Sequence, residues 1–167
     1  GVQMMGESAF GFCPQLREIR IPDSLSLIYK EVDEFPAFSG TDGIKNVIAS
    51  DKWKKEHRDI YLTMIPSENE TENFIMEGDT LVRYVGRRAE PQILPNVRKI
   101  GKRAFFANSH IEKIRIPYGV HTICRSAFSS CKNLTVIELP DSLRTIEEDA
   151  FAGTGIVNLS IPDSVLY

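Results

Sequence analysis

The chain has 167 residues, of which 42% are hydrophobic and 26% charged, with a formal net charge of −3. That is the composition of an ordinary globular chain long enough for one continuous core. Its lysines and arginines are interleaved with acids, so it lacks the basic stripe that neutralises phosphate backbones, and nucleic acid is not the expected partner. No apolar run approaches the roughly 18 to 20 residues that cross a bilayer, and the opening GVQMMGESAF lacks the charged and apolar regions of a signal peptide. Gly1 reads as a cleavage scar and the chain enters in mid-repeat, so a leader or anchor outside this stretch is compatible with it.

From the N-terminus, Ala9-Phe10 is the first of five Ala-Phe pairs; the others are Ala37-Phe38, Ala104-Phe105, Ala127-Phe128 and Ala150-Phe151, the last three spaced by 23 residues. A fixed period in the twenties is the mark of a solenoid, in which each supersecondary unit stacks on its neighbours. LREIRIPDSLSLI at 16–28 predicts a strand over 16–21 closed by Pro22. Ile28 lies ten residues before Phe38, where Ile123 lies five before Phe128, so KEVDEFP at 30–36 is expected as a loop insertion. IKNVIA at 44–49 predicts the next strand of a parallel ladder.

The repeat then breaks. DKWKKEHRDIYLTMI, with Ser50 or Asp51 as N-cap, places Trp53, Ile60, Tyr61 and Met64 on one face and ends before Pro66, which predicts an amphipathic helix lying against the convex side or one edge of the solenoid. SENETEN at 67–73 is polar, and FIMEGDTLVRYVG at 74–86 predicts a β-hairpin turning at Glu77-Gly78-Asp79. Helix and hairpin read as one insertion, at about 50–86, in a single domain of residues 1–167.

The frame resumes at ILPNVRKIGKRAF, where Val97, Ile100, Ala104 and Phe105 match Val120, Ile123, Ala127 and Phe128. In the clearest copy, 111–133, period-2 spacing puts Ile114 and Ile116 on one face of a short strand, while Val120 and Ile123 return on the opposite wall. LTVIELPDSLRTI at 134–146 and the truncated IVNLSIPDSV at 156–165 repeat the pattern, with a strand expected over 156–161.

The pattern A-F-x-x-C-x-x-L-x-x-I-x-I-P-x-x-V-x-x-I, seen in AFSSCKNLTVIELPDSLRTI at 127–146, resembles the BspA-like leucine-rich repeat. Ala49-Ser50 in place of Ile-Pro and Asn108 in place of cysteine depart from it. The resemblance implies an α/β leucine-rich-repeat solenoid, a right-handed coil of short strands and turns, belonging to a secreted or surface-displayed bacterial protein that acts in adhesion to host, matrix or other cells. It carries over no catalytic residue.

Three residues past the phenylalanine stand Cys13, Asn108, Cys131 and Thr154 in four copies. In leucine-rich-repeat solenoids this slot faces inward, where a small donor satisfies backbone carbonyls. The cysteines are therefore expected to be structural. A zinc site from His121, Cys124 and Cys131 is disfavoured because Cys124, after the inward Ile123, is expected to point outward. GESAF at 6–10 misses the last glycine of a nucleophile elbow, so Ser8 reads as a repeat surface position, and His57, His110 and His121 have no acid or nucleophile at motif spacing. No enzyme activity, cofactor or metal is expected.

What remains is the exposed face of the strand ladder, where side chains of successive repeats align in columns. Arg20, Arg115, Glu138 and Ser160 form one set of equivalents; Glu18, Lys113, Val136 and Asn158 form the other. This mixed-charge face is the candidate site for a protein partner. The alternatives are a structural spacer that displays other domains and an enzyme built on the 51–86 insertion. Strands at 16–21 and 156–161 would leave open sheet edges, which predicts further repeats or weak end-on association of an otherwise monomeric chain.

Overall fold

A computed structural model describes residues 3–6, 9–11, 13, 15–25, 27–28 and 44–166. The loop expected at 30–36, the Ala37-Phe38 pair and Ser8 lie outside the described residues. The chain divides into two compact units, Gly1–Ser67 and Glu68–Tyr167.

In the first unit, β1 (Met4–Met5) pairs in parallel with β3 (Leu27–Ile28), and β2 (Glu18–Arg20) with β4 (Asn46–Ile48), in the register Glu18↔Asn46, Ile19↔Val47, Arg20↔Ile48. Alternation turns Val47 inward, and with Ile21, Leu25 and Ile44 it builds an apolar core. The predicted helix is two short ones, α1 (Asp51–Glu56) and α2 (Arg58–Met64), broken at His57 (φ −119, ψ 40). Ser50 is the N-cap, its Oγ accepting from Trp53 N–H at 3.1 Å. At the break the His57 ring lies flat on the Trp53 ring, centroids 4.7 Å apart, and its Nδ1 sits 3.1 Å from the Trp53 carbonyl oxygen. Trp53 and Met64 enter the core as the spacing required, and Trp53 Nε1–H donates to the Leu25 carbonyl at 2.8 Å, satisfying the one polar atom of a buried indole. The helices thus cover the repeats of their own unit.

The second unit opens with a 3₁₀ turn, Glu70–Asn73, and the hairpin of β5 (Phe74–Glu77) and β6 (Thr80–Tyr84), turning where Gly78 takes φ 60. The strands β7 (Lys99–Ile100), β9 (Thr122–Ile123) and β11 (Thr145–Ile146) add to it in the order β11-β9-β7-β6-β5. The hairpin is therefore more than an interruption: β6 pairs in parallel with β7 through Thr80↔Lys99 and Leu81↔Ile100, standing where a preceding repeat would stand, and the antiparallel β5 covers its outer edge. A second ladder holds β8 (Lys113–Arg115) and β10 (Val136–Glu138), extended on the β8 side by a bridge between Gln92 and Arg115. The strand expected over 156–161 does not form; the last repeat bonds through Leu166 N–H to the Arg144 carbonyl instead, and Val157 and Ile161 stand exposed.

Between the ladders runs an aromatic column. Phe74, Tyr84, Phe105, Phe128 and Phe151 succeed one another at centroid separations of 4.8, 5.3, 4.7 and 5.6 Å. Main-chain bonds lock it: Tyr84, Phe105 and Phe128 each donate N–H to the alanine carbonyl of the next repeat, Ala104, Ala127 and Ala150. Tyr84 thus takes the phenylalanine slot. Around the column Val97, Ile100, Ile111, Ile114, Ile116, Val120, Ile123, Leu134 and Leu143 are buried at their repeat positions. Each repeat buries too few side chains to offset the ordering of its own backbone, so the contact between neighbours supplies what one repeat lacks.

Candidate protein-binding face

On the β8–β10 ladder, buried Ile114 and Ile137 send the residues on either side of them outward. The register puts Lys113 beside Val136 and Arg115 beside Glu138. Arg115 Nε donates to Glu138 Oε2 at 2.6 Å, and Lys113 Nζ lies 3.7 Å from Oε1 of the same carboxylate. The Arg115 hydrogen bond, aided by the charges of both cations against slight desolvation, holds the Glu138 carboxyl below the ordinary carboxylate range. Two cations and one anion leave this face with a net positive charge, and Val136, 44% exposed, adds an apolar element beside it. Thr135 Oγ1 and Asn133 Nδ2 donate to the carbonyls of Glu112 and Ser109 in the preceding repeat, fixing the entry to β10.

Of the eight residues expected on the face, these four come together. Glu18 and Arg20 lie exposed on β2 of the first unit, where Glu18 Oε2 accepts from Asn46 Nδ2 at 2.9 Å. Asn158 and Ser160 are exposed on a segment without strand pairing and so do not continue the columns of β10. Gln92 was missed, although it lies 23 residues before Arg115 and counting by the period reaches it.

The small-donor slot is filled as expected. Cys131 Sγ donates to the Phe105 carbonyl at 2.9 Å, Thr154 Oγ1 to Phe151 at 2.9 Å, Asn108 Nδ2 to Gly86 at 3.0 Å, and Cys13 Sγ faces the Gly11 carbonyl at 3.8 Å. Burial pushes the Cys131 thiol up to about 12. Cys124, expected outward, is buried, and desolvation with the nearby Glu147 raises its thiol despite Lys99. Burial thus disfavours the thiolate at both sulfurs. In the 51–86 stretch His57 is occupied with Trp53.

Comparison with solved structures gives the pneumococcal vaccine antigen PcpA, 21% identical, with a TM-score of 0.55 over 98% of this chain and 38% of that one. A leucine-rich repeat protein of Treponema pallidum (TpLRR) is 28% identical over 52% of this chain and 42% of that one, with a TM-score of 0.49. One from Bacteroides ovatus is 41% identical over 46% and 20%, with a TM-score of 0.44. The chain spans less than half the length of each. No curated protein matches it significantly. The likeness to PcpA is one of fold, which in this chain is built of short strands and few helices. The BspA type leucine-rich repeat region matches six times, over residues 1–62 and 90–167, and the chain belongs to that family.

Proposed function

We propose that this chain is a non-catalytic protein-binding module of a secreted or cell-surface bacterial protein, and that it holds its partner on the outward face of the β8–β10 ladder. Family membership supports an interaction or surface repeat module, since such scaffolds are generally non-enzymatic. A right-handed solenoid winding is part of the reading, because it would keep the outward columns continuous from repeat to repeat. The observation that carries the proposal is the Lys113–Glu138–Arg115 cluster beside exposed Val136, in which charged and apolar groups are held in fixed register by strand pairing. Fixed polar groups around an apolar patch favour specificity over bulk affinity.

The test is solid-phase binding of labelled chain to extracellular-matrix proteins and to bacterial cells, with wild type, Arg115→Glu and Lys113→Glu side by side. Weakened binding by folded variants supports the face. Unchanged binding moves the site elsewhere, and absence of binding to any surface favours the spacer reading, in which the ladder is inert.

A further inference from the structure

The turns that join the two ladders of the second unit carry a second exposed surface. In these turns the main-chain column runs Asp79, Arg98, His121, Arg144, each N–H donating to the carbonyl of the residue before it in the column, at 2.8, 2.9 and 2.9 Å. Arg98 Nη1 donates to the carbonyls of Pro95 and Val97, at 3.1 and 3.2 Å. Arg144 Nη1 does the same to Asp141 and Leu143, at 2.8 and 3.0 Å. Both arginines are exposed, and in both Nη1 bonds to the carbonyls three and one residues back, while the guanidinium has further donors to offer. Because the two clamps are the same, one guanidinium maps onto the other by two repeat steps, about 10 Å at the roughly 4.8 Å spacing of strands.

The repeat between them has His121 in the arginine slot and Tyr118 three residues before it, where the flanking repeats have Pro95 and Asp141. Tyr118 is 81% exposed. Gly119, at φ 102, lies so close to Arg98 that a Cβ there would come within 2.6 Å of Nη1, so the guanidinium rests beside the Tyr118 turn. That turn is rigid: Ser142 Oγ accepts from Gly119 N–H at 2.9 Å and donates to the Val120 carbonyl at 2.8 Å. Tyrosine flanked by two preorganised arginines is the composition of an interface hot spot.

We propose that Tyr118, with Arg98 and Arg144 on either side, docks an acidic segment of another protein in polyproline conformation, carrying two carboxylates three residues apart. A polyproline helix has three residues per turn and rises about 3.1 Å per residue, so such carboxylates share one face about 9 Å apart and match the arginine pair, whereas a β-strand would put them on opposite faces. The ring of Tyr118 faces the proline turn between them, as aromatic residues do in polyproline grooves. Asp79, one repeat before Arg98, and Asp141, in the Tyr118 column of the Arg144 repeat, are both exposed; they disfavour a uniformly acidic ligand and select two acids in an otherwise neutral or basic stretch.

The test is fluorescence anisotropy of the full chain with the labelled peptide Pro-Pro-Glu-Pro-Pro-Glu-Pro-Pro, a glutamine version, and a version with the acids four residues apart. Saturable binding is expected, weakened at least about tenfold by either peptide change and by Tyr118→Ala, Arg98→Gln or Arg144→Gln. Tyr118→Ala removes a ring exposed to solvent, so it reads out even if loss of an arginine clamp unfolds its turn. Arg115→Ala should leave peptide affinity unchanged. Equal affinity for the three peptides, unimpaired binding by Tyr118→Ala, loss of binding in Arg115→Ala, or binding of a sulfated oligosaccharide without binding of the peptide would each overturn the proposal.

Discussion

The Cys131 thiol donates to the carbonyl oxygen of Phe105, 2.9 Å away in the preceding repeat. One small side chain thereby ties two repeats together inside the core, where water cannot replace it. Cys131→Ser keeps a donor in the slot, whereas Cys131→Val leaves the Phe105 carbonyl with only its bond from Asn108 N–H, at 3.0 Å. The valine variant should lose about 0.5–1.5 kcal/mol relative to serine, by urea unfolding. Equal stability of the two would mean that the bond contributes nothing.

The same thiol makes stability depend on alkali. An unfolded cysteine titrates near 8.5, and the folded one is pushed up to about 12. The folded state keeps its proton over that interval while the unfolded state loses it, so the contribution is complete below about pH 8.5 and is lost as pH rises toward 12. Between about pH 7.5 and 9.5 the wild type should lose about 1.4 kcal/mol more than Cys131→Ser, which has no proton to lose there. Parallel pH curves for the two proteins would contradict this.

Glu138 titrates in the opposite sense. Its carboxyl is lowered chiefly by the Arg115 hydrogen bond, so its stabilising contribution is present above the ordinary glutamate range and disappears as pH falls through the lowered value. Carboxyl-carbon NMR should show Glu138 titrating below a typical glutamate and shifting upward in Arg115→Ala. A titration indifferent to Arg115 would dissolve the cluster on which the proposed face rests.

Tyr84 anchors the hairpin by ring and hydroxyl together. Its ring fills the aromatic slot above Phe105, and its hydroxyl donates to Glu70, whose carboxylate also receives Asn73 Nδ2 and Arg88 Nε, both at 3.2 Å. Tyr84→Ala should cost about 3–5 kcal/mol through the cavity, and Tyr84→Phe about 1.5–3 kcal/mol through the lost bond to a carboxylate. A smaller loss in both would mean that the hairpin packs only loosely on β7.

Much of this was legible from the period. Burial of Val97, Ile100, Ala104 and Phe105 follows from their match to the next repeat, and the Cys131 slot from counting past Phe128. The hairpin's place was not. Tyr84 lies 21 residues before Phe105, not 23, and residues 63–89 fall outside the family match, so only the Leu81–Ile100 pairing reveals that β6 stands in for a repeat. The helix was read as one because its apolar spacing passes through His57, whereas the backbone leaves helical angles there (φ −119, ψ 40), which side-chain spacing does not encode. Cys124 was misplaced because alternation was carried past the end of β9, where Cys124 N–H bonds to the Ile100 carbonyl and the chain turns. At the candidate site, spacing named the columns, but the joining of Lys113 and Arg115 on one carboxylate depends on side-chain reach that spacing does not encode.

The central claim is that successive repeats lie directly on one another through their phenylalanines. A double-mutant cycle on Phe105→Leu and Phe128→Leu, with Phe105→Leu and Phe151→Leu as the non-adjacent reference, measures it. The stacked pair, centroids 4.7 Å apart, should couple by about 0.5–1.5 kcal/mol, while the reference pair should be additive within about 0.5 kcal/mol. Additivity in both cycles would contradict the stacked arrangement.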